Sequence, residues 1–129
     1  LTPHPGEMAR LAGSTIDEVQ SDREGAAREA AGRARATVVL KGAGTVTASP
    51  EGELFLNPTG NDGLGTAGSG DVLTGIIATL LAQGLDGPGA GALGAYLHGA
   101  AGDLAALARG RRGMIAGDVL DELPEVFPA

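Results

Sequence analysis

The sequence has no cysteine and few aromatic side chains, with two phenylalanines, one tyrosine and no tryptophan among 129 residues. The lack of cysteine excludes disulfide bonds and cysteine-ligated metal sites. Nucleic-acid binders present clustered basic residues and aromatic stacking platforms. This chain has nine basic residues against sixteen acidic ones and a net charge of −7. We therefore expect no nucleic-acid partner.

Long hydrophobic runs are also missing, because no apolar stretch reaches the roughly 18 residues that a membrane-spanning helix requires. We expect no membrane partner and, by default, a soluble cytoplasmic protein. The chain is 43% hydrophobic and 19% charged, a balance that supports one compact domain rather than a disordered chain.

Glycine is abundant, at 23 residues. The glycines gather in short clusters between apolar runs, which is typical of turns or phosphate-binding loops rather than of a flexible linker. No internal repeat or linker divides the chain. Function is therefore expected in the glycine clusters.

The first half of the sequence predicts helices followed by strands. Gly13 ends a short helix, and Ser14 with Asp17 resembles a capping box before an alanine-rich surface helix. A β-branched run then predicts a strand buried on both faces, followed by a hairpin. The predicted helices are Glu7–Ala12 and Asp22–Arg35, and the predicted strands are Thr37–Leu40, Thr45–Ser49 and Glu53–Leu56.

The second half predicts helices only. Apolar residues recur at helical spacing from Val72 until Gly84 ends the run. A second helix is predicted from about Ala90 to Leu107, and Asp118 is expected to cap a short terminal helix through Leu123. The pattern is one α/β layer with helices at its end.

The segment Gly63–Gly68 matches the glycine fingerprint of dinucleotide-binding turns. That fingerprint requires a strand directly before it and an acid-bearing strand after the helix, whereas a second helix follows here. We interpret the match as chance. The sequence also lacks a Walker loop and a Gly-x-Ser-x-Gly motif, which excludes the enzyme classes that depend on them.

The overlapping segment Thr66–Val72 predicts an anion-binding turn. Its glycines allow backbone amides to turn inward, and the helix behind them adds its positive end, which suits a nucleotide phosphate or a developing negative charge. Asp71 lies in the first turn of that helix, where an aspartate is most often a capping residue. The glycines and small hydroxyl residues around it favour a functional carboxylate instead.

Gly68-Ser69-Gly70-Asp71 followed by an apolar helix resembles the anion hole and catalytic base of the ribokinase-like kinases. Three further segments, Thr2–Glu7, Lys41–Thr45 and Asn57–Asn61, occur in the order found in the ADP- or ATP-dependent NAD(P)H-hydrate dehydratases. This resemblance spans essentially the whole chain. It implies a ribokinase-like layered α/β/α fold, of which residues 1–129 form only the C-terminal portion of a single nucleotide-binding catalytic domain.

The resemblance implies a carbon-oxygen lyase that repairs hydrated NADH or NADPH. Asp71 is expected to withdraw the proton of the hydrate hydroxyl, whose oxygen takes the terminal phosphoryl of ADP or ATP before phosphate leaves. His4 and Asp71 are expected to contact the substrate, and Mg²⁺ is expected to accompany the nucleotide. The nucleotide-binding residues implied are Lys41, Gly42, Ala43, Gly44, Thr45, Asn61, Gly65, Thr66, Ala67, Gly68, Ser69 and Gly70.

Family members carry several βα units before the Thr-Pro-His segment, and none of them is present in this sequence, so we expect a fragment or processed piece. A strand such as Thr37–Leu40 needs neighbours on both sides, which these residues hardly provide. We therefore expect exposed apolar surface or pairing with another polypeptide, and a homo-oligomer in the complete protein.

Several residues also have ordinary interpretations. His4 alone reads as an exposed loop residue, and a lysine such as Lys41 at a strand end is commonly just solvated. His98 and Asp103 lie off the spacing of a helical metal pair and are taken as structural, and no metal site within the protein is expected. Arg111-Arg112 is taken as a solvated basic corner.

Two other functions stay open. A small-molecule kinase of the same fold, related to hydroxyethylthiazole or sugar kinases, would share Asp71 and the anion hole but not the Thr2–Glu7 segment. A non-catalytic nucleotide-binding fragment is the alternative from another class.

Overall fold

The computed structural model describes residues 1–127, which form six α-helices, one 3-10 helix and a three-stranded sheet. The helices are α1 (Pro5–Ala12), α2 (Ile16–Ser21), α3 (Arg23–Ala34), α4 (Ser69–Ala82), α5 (Gly87–Arg109) and α6 (Ala116–Val126). The strands are β1 (Val38–Leu40), β2 (Val46–Ala48) and β3 (Leu54–Leu56), and the 3-10 helix is Asp62–Gly65.

The strands pair antiparallel in the order β1-β2-β3, which confirms the predicted hairpin. The predicted buried strand is also confirmed, since every residue of β1 is buried. The register aligns Val38 with Ala48 and Thr47 with Phe55. β3 is the outer strand of this meander.

The Leu1–Pro3 segment extends the sheet on the other side of β1. The Leu1 amino group donates to the Thr37 carbonyl at 2.8 Å, and the Val39 amide donates to the Leu1 carbonyl at 2.7 Å. This alternation is that of a parallel pair. The expectation that these residues hardly flank β1 is therefore wrong, because the extended, proline-containing segment supplies the second neighbour.

Helices cover the sheet on both faces. On one face, Val38 and Leu40 pack in a cluster that includes Ala27 and Ala31 of α3. On the other face, Val39 packs against Leu73 of α4 and Ala95 of α5. Alternate residues of β1 thus point to opposite layers, as the pleat requires, and this arrangement agrees with the layered α/β/α fold.

The capping box before α2 is one residue later than predicted. Thr15, not Ser14, is the N-cap, and Glu18 rather than Asp17 accepts from the Thr15 amide at 2.8 Å. Ser14 is occupied at the end of α1, where its amide donates to Ala9 after Gly13 turns into the left-handed region at φ 67°.

The last two helices are longer than predicted. α5 begins at Gly87 because Asp86 caps it, accepting from the Gly89 amide at 2.8 Å. α6 begins after Ile115, so Asp118 is not the N-cap but the third helical residue, and its carboxylate accepts from the Ile115 amide at 2.8 Å. The helix continues past Leu123 through Pro124 to Val126, where Val126 packs against the core.

Several large apolar side chains are exposed on this chain, as expected. They lie on the Leu1–Pro3 segment, on the outer strand and on several helices, and they are Leu1, Leu11, Ile16, Phe55, Leu56, Leu81, Leu93, Tyr96, Leu107, Ile115 and Leu120. None of the helices within residues 1–127 is long and apolar enough to cross a membrane.

α5 approaches its neighbours closely through glycines. A Cβ atom at Gly99 would lie 2.7 Å from the carbonyl carbon of Thr59, a separation that real Cβ contacts essentially never show. Gly94 likewise faces Ile77 of α4. The glycine at position 99 therefore allows the segment that leads into the glycine-rich turn to lie directly on α5.

This close approach predicts opposite effects of alanine at two helical glycines. Gly99→Ala should lower the free energy of unfolding by about 1–3 kcal/mol, because the Thr59 backbone must move. Gly32→Ala, on the exposed face of α3 with no atom within 4 Å of the added carbon, should raise it by about 0.5–1 kcal/mol. Urea unfolding of both variants tests this, and a tolerated Gly99→Ala would contradict the packing.

Candidate active site

The N-terminus of α4 presents free backbone amides. Gly68 is the N-cap, in the left-handed conformation at φ 86°, and no side chain caps this helix end. The amides of Ser69, Asp71 and Val72 donate to nearby carbonyls, whereas those of Ala67, Gly68 and Gly70 have no acceptor within the described residues. Free amides at the positive end of a helix are suited to bind an anion.

Asp71 is exposed in the first turn of α4, and its carboxylate makes no hydrogen bond or ion pair with any other residue in the described range. A carboxylate at the third helical position takes part in capping by accepting from the backbone amide of the N-cap residue. Asp118 makes this bond at the equivalent position of α6, where it accepts from the Ile115 amide. The capping interpretation of Asp71 therefore has no support from its contacts, and the carboxylate faces solvent beside the free amides.

Lys41 links the sheet to this helix end. It follows β1, its amide donates to Pro3 at 2.9 Å, and its half-buried ammonium lies 3.1 Å from where a Cβ at Gly70 would be. The ammonium is also 3.8 Å from the Glu7 carboxylate. Two segments predicted to bind the nucleotide, one at Lys41 and one at Gly70, thus meet in the structure.

His4 is exposed and lies outside the helices and strands, as the sequence predicts, and it serves as the N-cap of α1. Its Nδ1 accepts from the amides of Gly6 and Glu7 at 3.0 and 3.2 Å. A neutral ring in this arrangement carries its proton on Nε2, which lies 3.4 Å from Glu7. The hydrogen bond from the His4 amide to Glu7 lowers the pKa of that carboxyl, and the Lys41 ammonium adds to the effect.

The segment that contains His4 passes the face of α4 that carries Asp71. The hydroxyl oxygens of Thr2 and Thr74 are 3.4 Å apart, and Thr74 lies three residues after Asp71, on the same helix face. The two residues expected to contact substrate, His4 and Asp71, are therefore on segments that touch each other.

The turn before α4 is tied to α5 by side chains. The Asn61 amide nitrogen donates to Asp103 at 2.9 Å and to the Gly102 carbonyl at 3.0 Å, and its oxygen accepts from Gly63. Asp103 also accepts from the Gly60 amide at 2.9 Å. These contacts agree with a structural Asp103. Because the Asn61 side chain is engaged in them, any nucleotide contact by Asn61 stays a prediction.

Arg111 belongs to the turn that follows α5. Its guanidinium forms an exposed ion pair with Asp62 at 3.4 Å, beside the glycine-rich turn. Exposed pairs of this kind contribute little to stability. Arg111 is therefore a solvent-exposed residue at the edge of the glycine-rich turn, which agrees with the solvated basic corner that the sequence predicts.

His98 lies beneath the anion-binding turn. Its Nε2 is 3.0 Å from the buried Ser69 hydroxyl, the first residue of α4. Burial lowers the pKa of His98; the contact with Ser69 opposes this to a smaller extent, and the positive Lys41 lowers the pKa further. The sequence predicts only that His98 is structural, and its contact with Ser69 agrees with a role in supporting the start of α4.

Arg23 contacts the loop that the sequence predicts to bind nucleotide, although it is not among the predicted site residues. It is the first residue of α3, and its Nη2 lies within hydrogen-bond distance of the carbonyls of Leu40, Lys41 and Gly44, at 3.2, 3.3 and 3.3 Å. Nothing in the sequence near Arg23 indicates this contact, because helix and loop are about eighteen residues apart.

The glycine fingerprint is confirmed as a chance match. The residues at its start form the 3-10 helix Asp62–Gly65 rather than the turn after a strand, and β3 ends at Leu56. α5, not a strand, follows α4. The glycines of this segment lead into the N-terminus of α4, where the anion site is predicted, and do not form a dinucleotide-binding turn.

Comparison with known proteins gives a consistent result. The sequence profile of the family described as NAD(P)H-hydrate dehydratase matches residues 1–125. The bifunctional NAD(P)H-hydrate repair enzyme Nnr of Moorella thermoacetica is 62% identical over 127 residues, which cover 98% of this chain and 24% of that protein. The chain thus spans about a quarter of this relative's length.

Solved structures show the same similarity in three dimensions. The crystal structure of ADP/ATP-dependent NAD(P)H-hydrate dehydratase from Bacillus subtilis, co-crystallised with ATP/Mg²⁺ and soaked with CoA, superimposes with a TM-score of 0.90 at 42% identity, covering 98% of this chain and 47% of that one. A ribokinase-like superfamily protein from Enterococcus faecalis gives a TM-score of 0.73 at 33% identity, covering 96% of this chain and 42% of that one. The predicted ribokinase-like fold, in its C-terminal portion, is confirmed.

The buried His98 predicts a specific dependence of stability on pH. Between the ordinary histidine pKa of 6.5 and the lower folded-state value, the unfolded chain binds a proton that the folded chain does not. Stability should therefore be full above this window and fall as the pH decreases through it, by at most about 1.4 kcal/mol per pH unit. His98→Gln retains a hydrogen-bonding group without the titration, so its unfolding free energy should change less over the same range. Equal slopes for the two proteins would contradict the assignment.

Proposed function

The chain belongs to the NAD(P)H-hydrate dehydratase family, and from this membership we propose that the complete protein uses ADP or ATP to dehydrate hydrated NADH or NADPH. The observation that supports this most strongly is the position of Asp71. Its carboxylate is exposed, has no partner within the described residues, and stands beside the free amides of the α4 N-terminus. A general base next to an anion site is what phosphoryl transfer to a hydroxyl needs.

In the proposed reaction, Asp71 accepts the proton of the substrate hydroxyl while the hydroxyl oxygen forms a bond to the terminal phosphorus of the nucleotide. The bond between that phosphorus and the bridging oxygen breaks, and the shortened nucleotide leaves. The phosphate then departs with the carbon–oxygen bonding electrons while the ring loses a proton from the adjacent carbon, which restores the double bond. The catalytic contribution of the protein is mainly positioning and charge neutralisation.

The nucleotide phosphates are proposed to lie between the Lys41–Thr45 loop and the Thr66–Gly70 turn. Lys41 brings a positive charge to the end of α4, and the amides of Ala67, Gly68 and Gly70 are available as donors. Together these groups would offset the charge that develops on the transferred phosphoryl oxygens.

A bound Mg²⁺ would fit this site only as part of the metal–nucleotide complex. Within residues 1–127 there is no group of three or more histidine or acidic side chains able to hold a metal ion. Mg²⁺ commonly binds through substrate phosphates and one or two carboxylates, and it retains several waters. When bound, the ion would supply further neutralisation of phosphate charge, and the exposed Asp71 in the first turn of α4 would be its carboxylate ligand.

His4 is proposed to donate from Nε2 to the substrate, since its Nδ1 is already used in capping α1. The packing of the Thr2–Glu7 segment beside α4 favours the dehydratase over a small-molecule kinase, which would share only Asp71 and the anion site.

We also propose a cytoplasmic location, where pyridine nucleotides and ADP or ATP are available, and a homo-oligomer that covers part of the exposed apolar surface.

Replacing the proposed base tests this function. In the complete protein, Asp71→Asn should reduce hydrate dehydration by about 10²- to 10⁴-fold, as expected for loss of a general base. Nucleotide affinity should survive, because amides and Lys41 hold the phosphates, and stability should change by less than about 0.5 kcal/mol, because the carboxylate caps nothing. Steady-state kinetics, calorimetry and thermal unfolding measure the three quantities.

The matched control is Asp118→Asn, the same chemical change at the equivalent position of α6. It should leave dehydration unchanged. Near-normal turnover by Asp71→Asn, or equal loss in both variants, would remove Asp71 from the reaction.

A further inference from the structure

Arg23 holds the Lys41–Thr45 loop from its inner side. Its Nη2 contacts the carbonyl oxygens of Leu40, Lys41 and Gly44, and its Nη1 donates to the Gln20 side chain at 2.8 Å. Within the described residues, no carboxylate pairs with this guanidinium, and its Nε is buried without a hydrogen-bond partner. A partly buried arginine whose partners are backbone carbonyls of one loop has an unusual set of contacts.

These contacts determine where the loop amides point. In a trans peptide the carbonyl and the amide of the same unit point in opposite directions, and residues 1–127 contain no cis bond. The carbonyl of Lys41 shares its peptide unit with the Gly42 amide, and the carbonyl of Gly44 shares its unit with the Thr45 amide. When both carbonyls turn inward to Arg23, both amides face away from it.

The backbone of Gly42 supports the same conclusion. It has a φ of 143°, and a Cβ there would lie 2.9 Å from Nη1 of Arg23. Glycine adopts this conformation without the strain that a side chain would add, and the Arg23 guanidinium lies against the loop at this residue. Loop and arginine therefore fit one another, and the positive charge lies directly under a segment proposed to face phosphates.

Arg28 offers a structural contact with which the contacts of Arg23 can be compared. Arg28, also on α3, donates to a single carbonyl, that of Gly52 in the hairpin turn, at 3.2 Å. The two side chains project from the same helix to different loops. Arg28 thus provides a comparison in which an arginine ties α3 to a turn away from the α4 N-terminus.

We propose that Arg23 is a positioning residue for the nucleotide, fixing the outward orientation of the Gly42 and Thr45 amides and adding positive charge beneath them. This inference rests on the proposed function, because it assigns the Lys41–Thr45 loop to the nucleotide. Arg23 touches the loop and not the reacting atoms, so its loss acts on nucleotide binding rather than on the chemical step.

The experiment compares Arg23→Met with Arg28→Met in the complete protein. Calorimetry gives the Kd for ADP and ATP, and steady-state kinetics give kcat, the KM for nucleotide and the KM for hydrated NADH. Arg23→Met should raise the nucleotide Kd and KM about tenfold or more, while kcat at saturating nucleotide and the KM for hydrate stay within about threefold. Arg28→Met should leave all four quantities unchanged.

Arg23→Lys is the conservative variant. It keeps the charge but replaces the planar fork by a compact ammonium, so it should restore nucleotide binding only in part. If Arg23→Met does not fold, Arg23→Lys against Arg28→Lys gives the same comparison. Unchanged nucleotide affinity in the Arg23 variants, or an equal loss in the Arg28 variants, would overturn the proposal.

Failure of the proposed function is distinguishable from failure of this inference. A wild-type protein that binds nucleotide but does not dehydrate hydrated NADH would refute the function, while the affinities of the Arg23 variants would still decide the role of Arg23. A wild-type protein that binds neither ADP nor ATP would overturn both.

Discussion

The two glycine-rich loops, Lys41–Thr45 and Thr66–Gly70, must keep backbone amides free for a ligand. Their carbonyls and flanking groups must therefore form hydrogen bonds with residues inside the protein. Free amides bind anions, but a loop with no internal partners has no fixed conformation. In the first loop, the carbonyls of Lys41 and Gly44 turn to Arg23. In the second, Asn61 and Asp103 fix the approach, and Ser69 is hydrogen-bonded to His98. The inner contacts thus determine which polar groups remain for a ligand.

The sheet and the long helix bring these two loops together. β1 lies between β2 and the Leu1–Pro3 segment, so Lys41 leaves the strand at a fixed point. α5 packs against α4, and its small residues allow the Asn57–Gly60 segment to lie on its surface. The Lys41 ammonium consequently reaches Gly70 from the opposite side of the site. The packing of the core and the geometry of the proposed anion site therefore depend on the same contacts.

Much of this arrangement could be predicted from sequence because its signals are local. The hairpin follows from strand propensity around Pro50 and Gly52, and α4 follows from apolar residues at helical spacing. The anion site follows from glycines placed before that helix. The choice of Asp71 as base needed the family resemblance as well, because an aspartate in a first helical turn is usually a cap.

The features that were not predicted depend on register or on distant contacts. Thr15–Glu18 fits the capping-box pattern, which ends in glutamate or glutamine, better than Ser14–Asp17 does, and the turn at Gly13 agrees with the later register. The role of Leu1–Pro3 as a neighbour of β1 needs the fold, since a three-residue segment that ends in proline does not indicate a strand. Arg23 looked like an ordinary residue of a surface helix, and its partners lie far away in the chain.

The central claim is that nucleotide binds between these two loops, and amide hydrogen exchange of the complete protein with and without ADP tests it most directly. The claim predicts slower exchange, on ADP binding, in both the peptides covering residues 41–45 and those covering residues 65–70, because their free amides become hydrogen-bonded or shielded. Protection confined to other parts of the chain, with both loops unchanged while ADP is bound, would contradict it.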